Sequence, residues 1–168
     1  EVLIGRITPA GTVTEFTAGS TPAFTAGGGP VDIAAGPDGN LWFTQQTGGR
    51  IGRITQNGAV TEFPLPASGR QPTGIISGPD GNLWFTDQAD PGGVGRITPT
   101  GALTEFPAGT TPGFTAARQP TAITRGAKDD LWFTGLRDPG SITRIAPRAG
   151  SPPGPPSPPG PLFPPGTP

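Results

Sequence analysis

The chain has 168 residues, a mass of 16.9 kDa, and 11 Lys+Arg against 12 Asp+Glu, so it lacks the basic face that a phosphate-backbone binder needs. Cys and His are both absent, which excludes disulfides, thiolate nucleophiles, imidazole bases and His or Cys metal sites. Gly (29) and Pro (25) make up about a third of the chain, a content that signals disorder unless the two recur at fixed places. They do recur. Val2–Phe16 reads as two strands, with GRIT at 5–8 and TEF at 14–16, followed by a Thr- and Ser-rich insert, AGSTPAFTA, at 18–26. Residues 30–63 then read as four strands, at 31–35, 41–44, 50–55 and 59–63. Turns separate them at Gly36-Pro37-Asp38-Gly39-Asn40 and Gln56-Asn57-Gly58, where Asp, Asn and Gly tolerate or supply positive φ and Pro presets it. Residues 71–106 repeat that unit with LWFT at 83–86, GRIT at 95–98 and TEF at 104–106, and the insert returns as AGTTPGFTA at 108–116. Residues 119–146 give three strands, with LWFT at 131–134 and a worn TRIA at 143–146, before a proline-rich tail at 148–168.

The spacing between units is 42 to 48 residues, and a 90-residue period lies over it, carrying Phe24 to Phe114 and Trp42 to Trp132. Four short antiparallel strands per unit at this period are expected of β-propeller blades. Side chains alternate along a strand, so Leu41 and Phe43 face one neighbour and Trp42 the other. A strand that is apolar on both faces must be stacked on both. The fold expected is all-β: a propeller-like array of about three blade equivalents forming an open ring over 1–147 (partial blade 2–16, blades 30–63 and 71–106, partial blade 119–146), followed by a polyproline II tail over 148–168. No helix is expected, because no segment has an apolar period of 3.6.

The strings GPDGNLWFT, GRIT and TEFPLP resemble the repeat of the virginiamycin B lyase (streptogramin lyase) family over roughly residues 2–147. The resemblance implies a propeller that has seven blades in full-length members. It also implies a lyase site of His and Glu side chains with a divalent metal near the axis. No His exists here to carry over, and Glu15, Glu62 and Glu105 occupy one repeated place, as a blade residue does. The reading is therefore a non-enzyme with no catalytic, cofactor or metal residues and no cofactor. The alternatives are a ligand- or carbohydrate-binding propeller, or a degenerate lyase relative.

An array that does not close leaves raw strand edges, which recruit other chains. The strand edge at Ser141–Ala146 lacks an outer partner, while the hairpin Val2–Phe16 carries the missing strand type. The partner expected is the chain itself, one molecule's amino-terminal strands completing the next molecule's last blade as a filament or closed oligomer. The residues expected to carry assembly are Val2, Ile4, Ile7, Val13, Phe16, Ile142, Ile145 and, in the tail, Leu162 and Phe163. Glycans are a further expected partner class. Nucleic acid is not, and no apolar run is long enough to span a membrane. Ten Arg to one Lys, with many Thr, suit a secreted or cell-surface protein.

Among polar residues, Asp38, Asp80 and the pair Asp129-Asp130 are expected to cap turns, and Asp87, Asp90, Arg137 and Asp138 to be loop charges. Arg6, Arg53, Arg96 and Arg144 are expected to form an ion-pair ladder with Glu15, Glu62 and Glu105. Trp42, Trp84 and Trp132 are expected in the core. The inserts read as loops on one rim, suited to binding, assembly or O-glycans.

Overall fold

The computed structural model describes residues 3–111, 114, 119–136 and 141–146. Val2, Arg137, Asp138 and the tail with Leu162 and Phe163 lie outside the described residues. Among the described residues there is no helix, and thirteen strands form four antiparallel sheets. The first sheet pairs β1 (Leu3–Ile7) with β2 (Val13–Thr17). The second runs in chain order through β3 (Pro30–Ala35), β4 (Leu41–Gln45), β5 (Arg50–Ile54) and β6 (Val60–Pro64). The third repeats this with β7 (Pro72–Ser77), β8 (Leu83–Asp87), β9 (Gly93–Ile97) and β10 (Leu103–Pro107). The fourth holds β11 (Pro120–Arg125), β12 (Leu131–Gly135) and β13 (Ser141–Ile145).

In the second and third sheets the hairpin between first and second strands is fixed by a PDGN turn. Gly36 N–H donates to Asn40 O at 2.8 Å, and Gly39 takes φ +77°, a backbone region that costs Gly nothing. Trp42 Nε1–H and Asn40 Nδ2–H donate to the two oxygens of Asp38 at 3.0 and 2.7 Å, so the turn also orients the Trp ring. Burial raises the Asp38 carboxyl, and the hydrogen bonds from Asn40 and Trp42 outweigh it, holding its pKa below the usual carboxylate value. Asp80, Asn82 and Trp84 repeat the arrangement.

In the fourth sheet the turn has decayed. Lys128 stands in the Asp place, and Asp129 takes the Gly place at φ +58°. Asp129 and Asp130 thus do not reproduce the capping of Asp38. Asp129 pairs with Arg125 instead, and Asp130 with Arg144 at 3.3 Å.

Alternation of side chains packs the sheets face to face around three cores. Ile4 and Phe16 meet Phe24, Phe43, Ile54 and Val60. Trp42, Ile51 and Phe63 meet Ile75, Leu83, Phe85 and Ile97. Trp84, Val94 and Phe106 meet Phe133, Leu131 and Ile145. Each buried aromatic or aliphatic side chain contributes about 1.5–3 kcal/mol. The inner strands β3, β7 and β11 are stitched by hydroxyls. Thr44 Oγ donates to Thr73 O, and Thr86 Oγ to Thr121 O, each at 2.6 Å.

The inserts are not simply rim loops. Phe24 plugs against Phe43 (ring centroids 5.8 Å apart, edge-on), and Phe114 against Phe133 at 5.2 Å. Both rings are buried, so the insert completes a blade face.

Candidate functional site

The expected Arg–Glu ladder does not form. Gly52 is opposite Glu62 and Arg53 is opposite Thr61 in the β5–β6 ladder, so Arg53 and Glu62 point to opposite faces of the sheet. Arg53 and Arg96 reach the PDGN carboxylates of Asp38 and Asp80 instead, each at 3.8 Å. Glu62 pairs with Arg50 at 2.7 Å, and it also accepts from Thr25 N, Thr25 Oγ and Gln45 Nε2. Burial raises the Glu62 carboxyl, but those donors outweigh it, and its pKa lies below the usual value. In the next blade Gly93 replaces Arg50, and Arg70 enters from the preceding loop to meet Asp87 at 3.0 Å and Glu105 at 3.1 Å. Asp87 is therefore no loop charge. It is 3% exposed, and accepts from Gln71 N and Ala89 N besides Arg70. These clusters hold the blades through internal partners, with Gln45 Oε1 left buried and without a hydrogen bond, and the sequence missed Arg50, Arg70 and Asp87 because their charge changes position from unit to unit. Among the described residues no group of His, Cys, Asp or Glu is placed to hold a metal ion.

Exposed apolar side chains mark the two outermost faces. Ile7 and Val13 are 71% and 60% exposed, whereas Ile54 and Val60, the same repeat positions one blade on, are buried. Val31 and Ile33 are exposed on β3, while Ile75 of β7 is buried. At the far end Trp132 is 38% exposed, although Trp42 and Trp84 are buried, and Ile142 is 72% exposed where Ile51 and Val94 are buried. The same residue types are thus buried wherever a blade stands beside them and bare where none does.

Of the residues expected to carry assembly, Ile7, Val13 and Ile142 lie on these open faces. Ile4 does not, because it points to the other side of β1 and is buried in the first core. Phe16 and Ile145 are half-buried against neighbouring sheets. A groove lined by Leu3, Gly5, Val31, Ile33 and Phe43 runs between β1 and β3.

The model of the virginiamycin B lyase family matches residues 1–151. This chain belongs to the virginiamycin B lyase family. Its fold agrees with virginiamycin B lyase from Staphylococcus aureus at a TM-score of 0.68 and 37% identity, covering 87% of this chain and 49% of that one. A catalytically inactive His-to-Ala variant of the S. aureus lyase, solved with quinupristin, matches at 0.68 and 37%, over 84% of this chain and 47% of that one. A streptogramin B lyase structure matches at 0.67 and 34%, over 88% and 48%. Virginiamycin B lyase of Bordetella parapertussis is 56% identical over 34 residues, which is 20% of this chain and 11% of that protein. The chain thus spans about half the length of the solved lyases it matches. The family relation accounts for the propeller-like array, whose blades are the part shared with the lyases.

Proposed function

We propose that this virginiamycin B lyase family chain is a non-enzymatic, self-assembling structural protein, secreted or at the cell surface. Its blades, over 1–147, are completed by a second copy. The observation that carries the reading is the contrast between Ile7, Val13, Trp132 and Ile142 and their buried counterparts. Contiguous apolar faces of this kind mark interaction surfaces, and a sheet edge beside them offers a backbone ladder as well. Lyase chemistry is disfavoured because all 168 residues lack His, while the S. aureus relative is catalytically inactive as a His-to-Ala variant.

The test is mass by light scattering across a dilution series. A dimer or larger regular species that dissociates on dilution is expected. A monomer at all concentrations overturns the proposal, and is the outcome if further blades of a longer polypeptide normally fill these faces. The second reading, a degenerate lyase, is favoured by 34–37% identity to solved lyases. Ring-opening of a streptogramin B substrate by the purified chain would establish it.

A further inference from the structure

The hairpin β1–β2 lacks, position for position, what β12 presents. In both complete blades the Phe of the second strand lies on the Gly of the third. A Cβ on Gly52 would stand 2.1 Å from Phe43 Cζ, and one on Gly95 2.0 Å from Phe85 Cζ. Gly5 occupies the same place in β1, and nothing lies within 4 Å of its Cβ position. The Trp of the second strand also stacks on the Phe of the fourth, Trp42 on Phe63 at 5.3 Å and Trp84 on Phe106 at 5.4 Å. Phe16 sits in β2 as Phe63 sits in β6, against Gly58 as Phe63 is against Gly101. Among the described residues no Trp stacks on Phe16 and no Phe stacks on Trp132.

Charge follows the same pattern. Arg53 and Arg96 lie over their own blade's Trp and beside the Asp of its turn. Arg6 lies over Phe16, and among the described residues no carboxylate is within ion-pair distance of it, whereas Asp129 and Asp130 lead into β12. Strand β13 is a poor occupant of β12's edge. It places Thr143 opposite Phe133, where the complete blades have Gly, and no fourth strand backs it among the described residues.

We propose that the second copy engages by strand exchange: β13 leaves β12, and the hairpin β1–β2 of the other molecule takes its place. The inference rests on the self-assembly reading above and specifies its register. By the β4–β5 pairing, Leu131 would face Ile7, Phe133 would face Gly5 and Gly135 would face Leu3 of the second copy. Phe133 then fills the empty Gly5 socket, Phe16 stacks on Trp132, and Arg6 meets Asp130. The interface continues the blade stacking already present within the chain. Performed reciprocally, the operation closes on itself as a two-fold ring of about six blades.

The chain has no Cys, so paired Cys substitutions report register directly. Under mild oxidation L3C/G135C is expected to give a covalent dimer on a non-reducing gel. V13C/I145C, which by the β5–β6 pairing of Ile54 with Val60 reports addition of β2 to an undisplaced β13, is expected to stay unlinked. Linking of V13C/I145C alone overturns the exchange and leaves self-assembly standing. A dimer in which neither pair links overturns the exchange as well, and a monomer with neither linked overturns both. Gly5→Leu guards against misfolded Cys variants. Its side chain meets open space in the separate chain, so it should fold as a monomer and lose association at least tenfold. Undiminished association would overturn the exchange.

Discussion

Gly95→Ala puts the aromatic-on-glycine packing to a direct test. The added methyl would stand 2.0, 2.5 and 2.6 Å from three carbons of the Phe85 ring, where favourable contact begins at about 3.5 Å. Phe85 is buried among Trp42, Ile75, Leu83 and Ile97, so its ring cannot swing into solvent. Overpacking a filled core costs about 1–3 kcal/mol, and an overlap this deep belongs at the upper end. Removing a strand Gly recovers about 0.5–1 kcal/mol. The net expectation is a loss of about 2 kcal/mol, which lowers Tm by about 4–8 °C for a chain of this length. Urea unfolding followed by fluorescence of the three Trp residues or scanning calorimetry measures it. Gly52→Ala should behave alike, given its 2.1 Å approach. An unchanged or raised Tm for Gly95→Ala would refute the packing argument.

Thr86→Val should cost about 1–3 kcal/mol in chemical denaturation, because Gly74 N–H loses its acceptor and Thr121 O its donor. Restoring the decayed turn with K128D/D129G should raise stability by about 1 kcal/mol: Gly relieves the positive φ and Asp gives Trp132 Nε1 an acceptor, against an exposed Arg125–Asp129 pair worth a few tenths. Glu62 has a folded pKa below its ordinary 4.5, so on acidification the unfolded chain binds its proton first. Its contribution is therefore complete above about pH 4.5 and lost as pH falls through the lower folded value. Glu62→Gln should lower stability at pH 7 by about 1–2 kcal/mol and flatten the acid side of a Tm–pH profile.

Much of the architecture was legible because its signals are local. LWFT, GRIT, TEF and the PDGN turn each encode a strand or a reversal, and their recurrence gives the blade. The alternation of Phe43 and Trp42 also foretold burial on both sides. What stayed hidden depends on register. Arg53 and Glu62 look like natural partners in one dimension, but one residue of offset in the ladder sends them to opposite faces. Arg70 takes over the space left by Gly93 from a different strand connection, which no linear pattern announces. The Phe24 and Phe114 inserts read as surface loops because Thr, Ser and Gly dominate them, and only their edge-on packing against Phe43 and Phe133 explains their aromatic residue. The candidate assembly faces follow from comparing equivalent positions, and alternation along β1 sets Ile7 on the open face and Ile4 in the first core.

Hydrogen exchange at peptide level over 3–7 and 131–145, measured at low and high protein concentration, reaches the central claim most directly. Strand exchange with a second copy predicts that Leu3–Ile7 gains protection as concentration rises and Ser141–Ile145 loses it, while Leu131–Gly135, paired on both edges before and after, keeps its own. Exchange in Leu3–Ile7 and Ser141–Ile145 that is independent of concentration would contradict the account.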